Sequence, residues 1–401
     1  MHSFTLAAID IGSGSVKGIV AQKDFSSGEI DVLAAAVHKS LGVRNGEVVY
    51  PEQAAQSIRN VVDDLSRESG LKIKEAVVNV GGIHLFSLNS RGLVSVSRAD
   101  QIIVEEDINR ALKEAQVVRL KNNYEIIEVF PREFILDGER GVKEPRGLRA
   151  SRLEVDVLLA EIFSPVLTNL EKAMALAGLG CAQTYLTPLA SARAVVSEEQ
   201  KELGVAVVDI GFALTALSIF DKGDLVDFAF FPVGSSHITN DLAILLRTEI
   251  QTAEQIKKEF GTLKIKEKKA GSEKIKIPEK NLDFSSRFLR EVIESRIGEI
   301  FGEVQKTFKK IQPTPQLPCG VLLTGGGALL PGLADFVRQK IKLPCRLGEV
   351  KDFKGVDAAQ FSTCCGLALL TFDEWGDTKG NIGAVARVGR TMKRIFKTFL
   401  P

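Results

Sequence analysis

Cysteine is scarce in this 401-residue chain: Cys181, Cys319, Cys345, Cys364 and Cys365 make an odd set without CxxC spacing. Such a set argues against a disulfide scaffold or zinc site and fits reduced thiols in the cytoplasm. The four histidines are too scattered in sequence to suggest a metal cluster, and tryptophan occurs once. No run approaches the about 18 apolar residues that span a bilayer. The N-terminus lacks a cationic region and Asp10 interrupts its apolar run, so no secretory leader is expected. There is no GxxxxGK[ST] loop and no GxSxG elbow, which removes two large enzyme classes. Nor is there a strong overall charge: 52 Lys plus Arg stand against 51 Asp plus Glu, a formal net charge of +1, which argues against a nucleic-acid protein driven by global charge.

What is present is an ordinary globular composition, 45% apolar and 26% charged, long enough for two or three domains with full cores. The charge is unevenly placed. After Asp377 come Lys379, Arg387, Arg390, Lys393, Arg394 and Lys397, with no acidic residue among them.

The clearest pattern is a repeated strand-turn unit. Phe4 to Ile9 is a strand-like run ending in Asp10-Ile11-Gly12, followed by small residues and a second run, Val16 to Ala21. The unit returns with Val205 to Val208, Asp209-Ile210-Gly211 and Leu217 to Phe220. Each reads as a β-hairpin with a carboxylate at the strand end and glycine at the turn. Two such units predict two similar α/β lobes. A third landmark, Val321 to Thr324 running into Gly325-Gly326-Gly327, is a strand and glycine turn expected to open a helix, a place for phosphate or ribose.

Between these landmarks, Glu52–Leu65, Ile103–Val118, Pro165–Ala177, Ser236–Arg247, Ala253–Phe260 and Phe284–Phe308 read as helices, and Val155–Ala160 as a strand. Lys264–Lys280, rich in lysine, reads as a solvated loop or flap.

The order hairpin, hairpin, strand-GGG resembles the actin, sugar kinase and heat-shock ATPase superfamily, and within it the FtsA family of actin-like bacterial cell-division proteins. Further segments resemble that family: Gly42 to Val49, Asn89-Ser90-Arg91-Gly92, Phe134 to Gly138, Gly234 to Ala243 and Ala253 to Gly261. The resemblance implies an α/β, actin-like two-lobed fold. Its first-lobe core spans 1–85 and 165–197, with an FtsA-type insertion at 86–164. The second-lobe core spans 198–232 and 313–372, with a smaller subdomain at 233–312. A linker, 373–385, then leads to an amphipathic helix at 386–401.

The cofactors implied are ATP and Mg2+. Asp10 and Asp209 would hold the ion through its water shell, since magnesium dehydrates reluctantly. Gly12, Ser13, Gly14 and Ser15 would present N–H groups to phosphates, and Lys17 would neutralise phosphate charge. Gly211 and Thr215 form the second phosphate loop. Glu254 and Lys257 would contact ribose and base, with Gly325, Gly326 and Gly327 closing over the adenosine. One departure stands out: where the family carries glycines and threonines after the second Asp-Ile-Gly, this chain has Phe212, Ala213, Leu214, Thr215 and Ala216. The loop is therefore expected to stand farther from the γ-phosphate, with ATP binding retained but weakened and hydrolysis slow or absent.

In the tail, Val388, Met392, Ile395, Phe396 and Phe399 share one helix face, with Arg390, Lys393, Arg394 and Lys397 on or beside the other. Such a helix lies in the headgroup layer of an anionic membrane. The resemblance implies a cytoplasmic protein, peripheral on the inner face of the cell membrane at the division site. Its partners would be the FtsZ C-terminal peptide, near Arg296, later divisome proteins, and itself in filaments; nucleic acid is not among them. Two alternatives remain: a small-molecule kinase of the same superfamily, and a pilus-assembly adaptor related to FtsA.

Overall fold

A computed structural model of the chain describes residues 3–264, 274–280, 282–311, 315–353 and 359–379. In chain order, β1 (Ser3–Ile11), β2 (Ser15–Asp24) and β3 (Ile30–Lys39) form a meander. A short ladder of β4 (Val43–Arg44) and β5 (Glu47–Val48) leads to α1 (Pro51–Ser69) and β6 (Glu75–Val80). The insertion comprises β7 (Leu85–Ser95), α2 (Glu105–Glu114), β8 (Tyr124–Leu136), β9 (Glu139–Val142) and β10 (Arg152–Phe163). The chain returns through α3 (Ser164–Leu176), β11 (Gly180–Leu186), α4 (Thr187–Val195) and α5 (Glu198–Leu203).

The second meander is β12 (Val205–Ile210), β13 (Thr215–Asp221) and β14 (Asp224–Phe231). There follow α6 (Ser235–Leu245), α7 (Ile250–Phe260), the ribbon β15 (Lys274–Ile277) and β16 (Leu282–Ser285), and α8 (Ser286–Lys310). Last come β17 (Val321–Thr324), α9 (Leu333–Ile341), β18 (Cys345–Leu347) and α10 (Ser362–Lys379).

The two main sheets have one topology. The first runs β11-β6-β1-β2-β3 and the second β14-β13-β12-β17-β18. In each, an antiparallel three-strand meander is extended by two strands parallel to its first. The repeat visible in Asp10-Ile11-Gly12 and Asp209-Ile210-Gly211 is thus a repeat of whole lobes. The insertion is a separate sheet, β7-β10-β8-β9, with α2 on it.

Side-chain alternation along β12 determines what each face meets, because successive residues point to opposite sides. Val205 and Val207 join a core that runs from the first lobe through α4 and α10. Ala206, Val208 and Ile210 join the core made with α6 to α9. Asp209 has the parity of Val205 and Val207, so its side chain faces the first lobe. Helix α1 has proline in its first turn, a left-handed Gly70 at its end, and buried Ala54, Ile58, Val61 and Leu65 at helical spacing. Helix α8, the longest, is capped by Ser285, whose hydroxyl accepts from Phe288 N at 3.1 Å.

Three expectations are corrected. The lysine-rich stretch read as a loop contains a strand, β15, in antiparallel register with β16; residues 265–273 lie outside the described residues. The glycine turn is followed first by one 3-10 turn, Gly326–Leu329, and only then by α9. The polar linker expected from residue 373 is helical as far as Lys379, because Asp373 accepts two hydrogen bonds from Arg193, at 2.7 and 3.1 Å, and Trp375 stacks on Phe4 at 4.2 Å. The tail residues Val388 to Phe399 lie outside the described residues. No helix among those described is long and apolar enough to cross a membrane.

Candidate functional site

The first hairpin sets Asp10 directly opposite Lys17 across the β1–β2 ladder, and the Lys17 Nζ donates to Asp10 Oδ2 at 3.0 Å. The other carboxylate oxygen, Oδ1, accepts from Asn79 Nδ2 at 3.0 Å. Asn79 in turn accepts from the Ile11 N–H at 2.7 Å and donates to the Thr187 hydroxyl at 3.1 Å. Asp10 is therefore held from two sides by elements of its own lobe.

On the opposite wall, Asp209 ends β12 beside Thr324, its register partner on β17. Burial pushes the Asp209 carboxyl up to about 6; the nearby Asp10 charge adds to this, while Lys17 and a hydrogen bond from Ser191 work against it. Burial also works to lower the Lys17 ammonium, but Asp10, Cys364 and Asp209 outweigh it and leave that value raised. Two carboxylates and one ammonium thus share one electrostatic site between the lobes.

Gly325, at φ 83°, lies against the Asp209 carboxylate and the Ile210 carbonyl, where any side chain would collide. Such a φ is costly for other residues. Gly327 packs on Ile210, whereas a Cβ on Gly326 would meet nothing within 4 Å. The glycine turn is thus pressed on the base of the carboxylate site and open at its middle.

The remaining sequence candidates divide. Gly12 N donates to Ser15 O at 3.2 Å, closing the first turn, and the Ser13 hydroxyl accepts from Gly46 N at 2.8 Å. Gly211 N donates to Leu214 O at 2.8 Å, closing the second. Thr215 belongs elsewhere: it is wholly buried and donates to the Val233 carbonyl at 2.7 Å, so its hydroxyl is not offered to a phosphate. Glu254 and Lys257 form one cluster with Thr239. Lys257 Nζ, 6% exposed as a residue, donates to Thr239 Oγ1 at 2.8 Å and lies 2.7 Å from Glu254 Oε2. Burial lowers the Lys257 ammonium against the pull of Glu254. Arg296 lies on α8 and donates twice to Asp241 of α6, at 2.5 and 2.9 Å, and to Glu299 at 2.6 Å.

The second hairpin tip does not stand back from the first. Phe212 reaches Gly14: a Cβ placed there would lie 2.6 Å from Phe212 Cγ. Leu214 similarly abuts Gly46, where an added Cβ would lie 2.6 Å from its Cδ1. The two hairpin tips meet through apolar side chains, which fill the space that smaller ones would leave.

Sequence reasoning missed Asn79, Ser191 and Thr324. The only hint for Asn79 is a polar residue inside an apolar strand just before Gly81-Gly82. Thr324 Oγ1 is buried without a protein partner among the described residues, beside Asp209. Oxygen donors alone, with a spare buried hydroxyl, suit a hard cation that keeps most of its water. Among the described residues no group of three or more His, Cys, Asp or Glu is placed to hold a metal ion, so two carboxylates are the anionic groups this wall-to-wall site offers.

Comparison with known proteins adds two kinds of likeness. Residues 206–366 match the family model described as cell division protein FtsA, and residues 82–160 match the SHS2 domain inserted in FtsA. The chain is 32% identical to the cell division protein FtsA of Pseudomonas aeruginosa, across 93% of this chain and 90% of that one. In fold it is similar to a structure of the PilM–PilN type IV pilus biogenesis complex, with a TM-score of 0.64 at 16% identity, covering 91% of this chain and 98% of that one. It is also similar to MreB5 of Spiroplasma citri bound to ADP, with a TM-score of 0.55 at 14% identity, covering 94% and 98%.

Proposed function

The chain belongs to the FtsA family of cell-division proteins, and on that premise we propose that it is a self-assembling, adenine-nucleotide-binding adaptor tethering FtsZ filaments to the inner face of the cytoplasmic membrane. The observation that carries the nucleotide part is the meeting of Asp10, Lys17 and Asp209 between two lobes of one topology. In this reading Asp10 and Asp209 hold hydrated Mg2+, Lys17 and the N–H groups of 13–15 take phosphate, the Gly12 N–H being given to Ser15 O, and Gly325–Gly327 border the adenosine. Magnesium would supply charge neutralisation to the phosphates. Asn79 keeps Asp10 aimed.

Hydrolysis has little support. Asp10 is paired with Lys17 and Asn79, Thr215 is spent on Val233, and the tip of the second hairpin is apolar. The role proposed is thus that of a nucleotide-regulated scaffold, which would also recruit later divisome proteins. The small-molecule kinase reading gains nothing from this cleft. The pilus-adaptor reading rests on likeness of fold, whereas the sequence relative carries the cell-division name.

Membrane attachment is assigned to the tail, Val388 to Phe399. Each cation near an anionic surface contributes about 1 kcal/mol and each inserted large apolar side chain about 1.5 kcal/mol, before the cost of ordering a short helix. Filaments would multiply this weak grip through effective concentration. In co-sedimentation with phosphatidylglycerol vesicles, the full chain is expected to pellet at least about tenfold more than a chain ending at Lys379. The cut falls after Lys379, where α10 ends, so that the helix and its Trp375–Phe4 stack stay whole. A labelled FtsZ C-terminal peptide should join the pellet only with the full chain, and less so with Arg296→Ala. Equal sedimentation of both chains removes the anchor, and a peptide that never follows the protein removes the tether.

A further inference from the structure

We propose that Phe212 makes this cleft a diphosphate site, discriminating against a third phosphate; the proposal deepens the nucleotide reading above and rests on it. Two hairpin tips, 12–14 and 211–214, approach each other from the two lobes, next to the shared carboxylates. A terminal phosphoryl group lying between them needs hydrogen-bond donors from both tips, because charged oxygens stripped of water must find partners. On the first-lobe side such donors are at hand. On the second-lobe side the approach is taken by hydrocarbon: the Phe212 ring lies on Gly14 and Leu214 lies on Gly46, whose N–H is already given to Ser13.

The second tip cannot yield by moving its backbone cheaply. Gly211 and Phe212 accept, through their carbonyls, the N–H groups of Ser235 and Ser236 at 2.9 and 2.8 Å. Those two donors open α6, and a helix start is otherwise a ready anion site. Gly234 lies so close beneath the loop that a Cβ there would be 2.6 Å from the Phe212 carbonyl oxygen. The tip is therefore fastened from behind while its ring, 47% exposed, points forward without a core to hold it. A ring so exposed is not kept by burial, and its contact is with the opposite lobe. Nearer the carboxylates, a Cβ on Gly326 would meet nothing within 4 Å and Lys17 supplies its ammonium beside Asp10, so a nucleoside and two phosphates keep their partners.

The test is equilibrium binding of ADP and of the non-hydrolysable triphosphate AMPPNP, both with Mg2+, to the full chain and to Phe212→Ala and Phe212→Gly. The wild-type chain is expected to favour ADP at least about tenfold, and each variant to bring the two ligands within about threefold by strengthening AMPPNP. Leu214→Ala, which shortens the neighbouring side chain, is expected to give part of the same effect. Equal affinities in the wild type, or a preference unchanged in all three variants, overturns the role of Phe212. Failure of both nucleotides to bind every form overturns the proposal together with the nucleotide reading beneath it, a result distinguishable from the first because no ligand then saturates.

Discussion

Gly366→Ala is expected to destabilise the chain by about 3 kcal/mol or more, the largest loss from any single methyl group considered. Helix α10 crosses α4 at Gly366, where a Cβ would run into the Ala190 carbonyl oxygen and carbonyl carbon. Alanine is the better helix former by about 1 kcal/mol, so propensity favours the variant and packing opposes it. Packing wins, because the obstacle is backbone of a buried helix and not the end of a flexible side chain. Gly302, in the middle of α8, is the control: a Cβ there meets nothing within 4 Å. Gly302→Ala is therefore expected to gain about 0.5–1 kcal/mol. Thermal unfolding of both variants measures the contrast, and a Gly366→Ala midpoint at or above the wild type would show that the helices separate freely. Such freedom would matter, since α4 and α10 are the layer between the lobes.

Asp209→Asn is expected to weaken Mg2+-dependent nucleotide binding at least about 100-fold, or about 2.7 kcal/mol, while making the ligand-free protein more stable. Burial, with Asp10 beside it, holds the carboxyl at about 6 against an ordinary 3.8. A raised value favours the protonated form, so the stabilising contribution is complete below about 3.8 and is lost as pH rises through about 6. At pH 7.5 the ionised group costs the fold about 3 kcal/mol, which asparagine removes. The difference between variant and wild type should therefore open above pH 4 and level off above pH 6. Thermal scans across that range, without nucleotide, check it. A group kept for the fold would show the reverse sign, with a loss of stability on substitution. Asp10→Asn should lose binding too, but it also gives up the partner of a half-buried Lys17.

The two hairpins were legible because each is local: alternation, a carboxylate at the strand end and a glycine turn lie within about a dozen residues. The Asp10–Lys17 pair follows from the ladder alone, since the hairpin sets those positions opposite each other. Asn79 and Ser191 were not legible, because each reaches its carboxylate across the fold, and nothing near them in sequence marks the encounter. Thr215 was misjudged for a related reason. Its hydroxyl looked free beside a phosphate loop, but Val233 of the next turn was the nearer acceptor. The helical end of the chain was misread through composition: polar residues 373–379 suggested a linker, yet Phe372 and Trp375 pin that helix on Phe4. Lys274-Ile275-Lys276-Ile277 had strand alternation in plain view, and the weight given to its charge hid it.

One cation-and-nucleotide site shared by two lobes is tested most directly by calorimetric titration of the full chain with ADP. With Mg2+ present, saturable binding at one site per chain is expected, at least about tenfold tighter than with the metal chelated and largely lost in Asp209→Asn. No saturable heat, or binding indifferent both to Mg2+ and to that substitution, would contradict it.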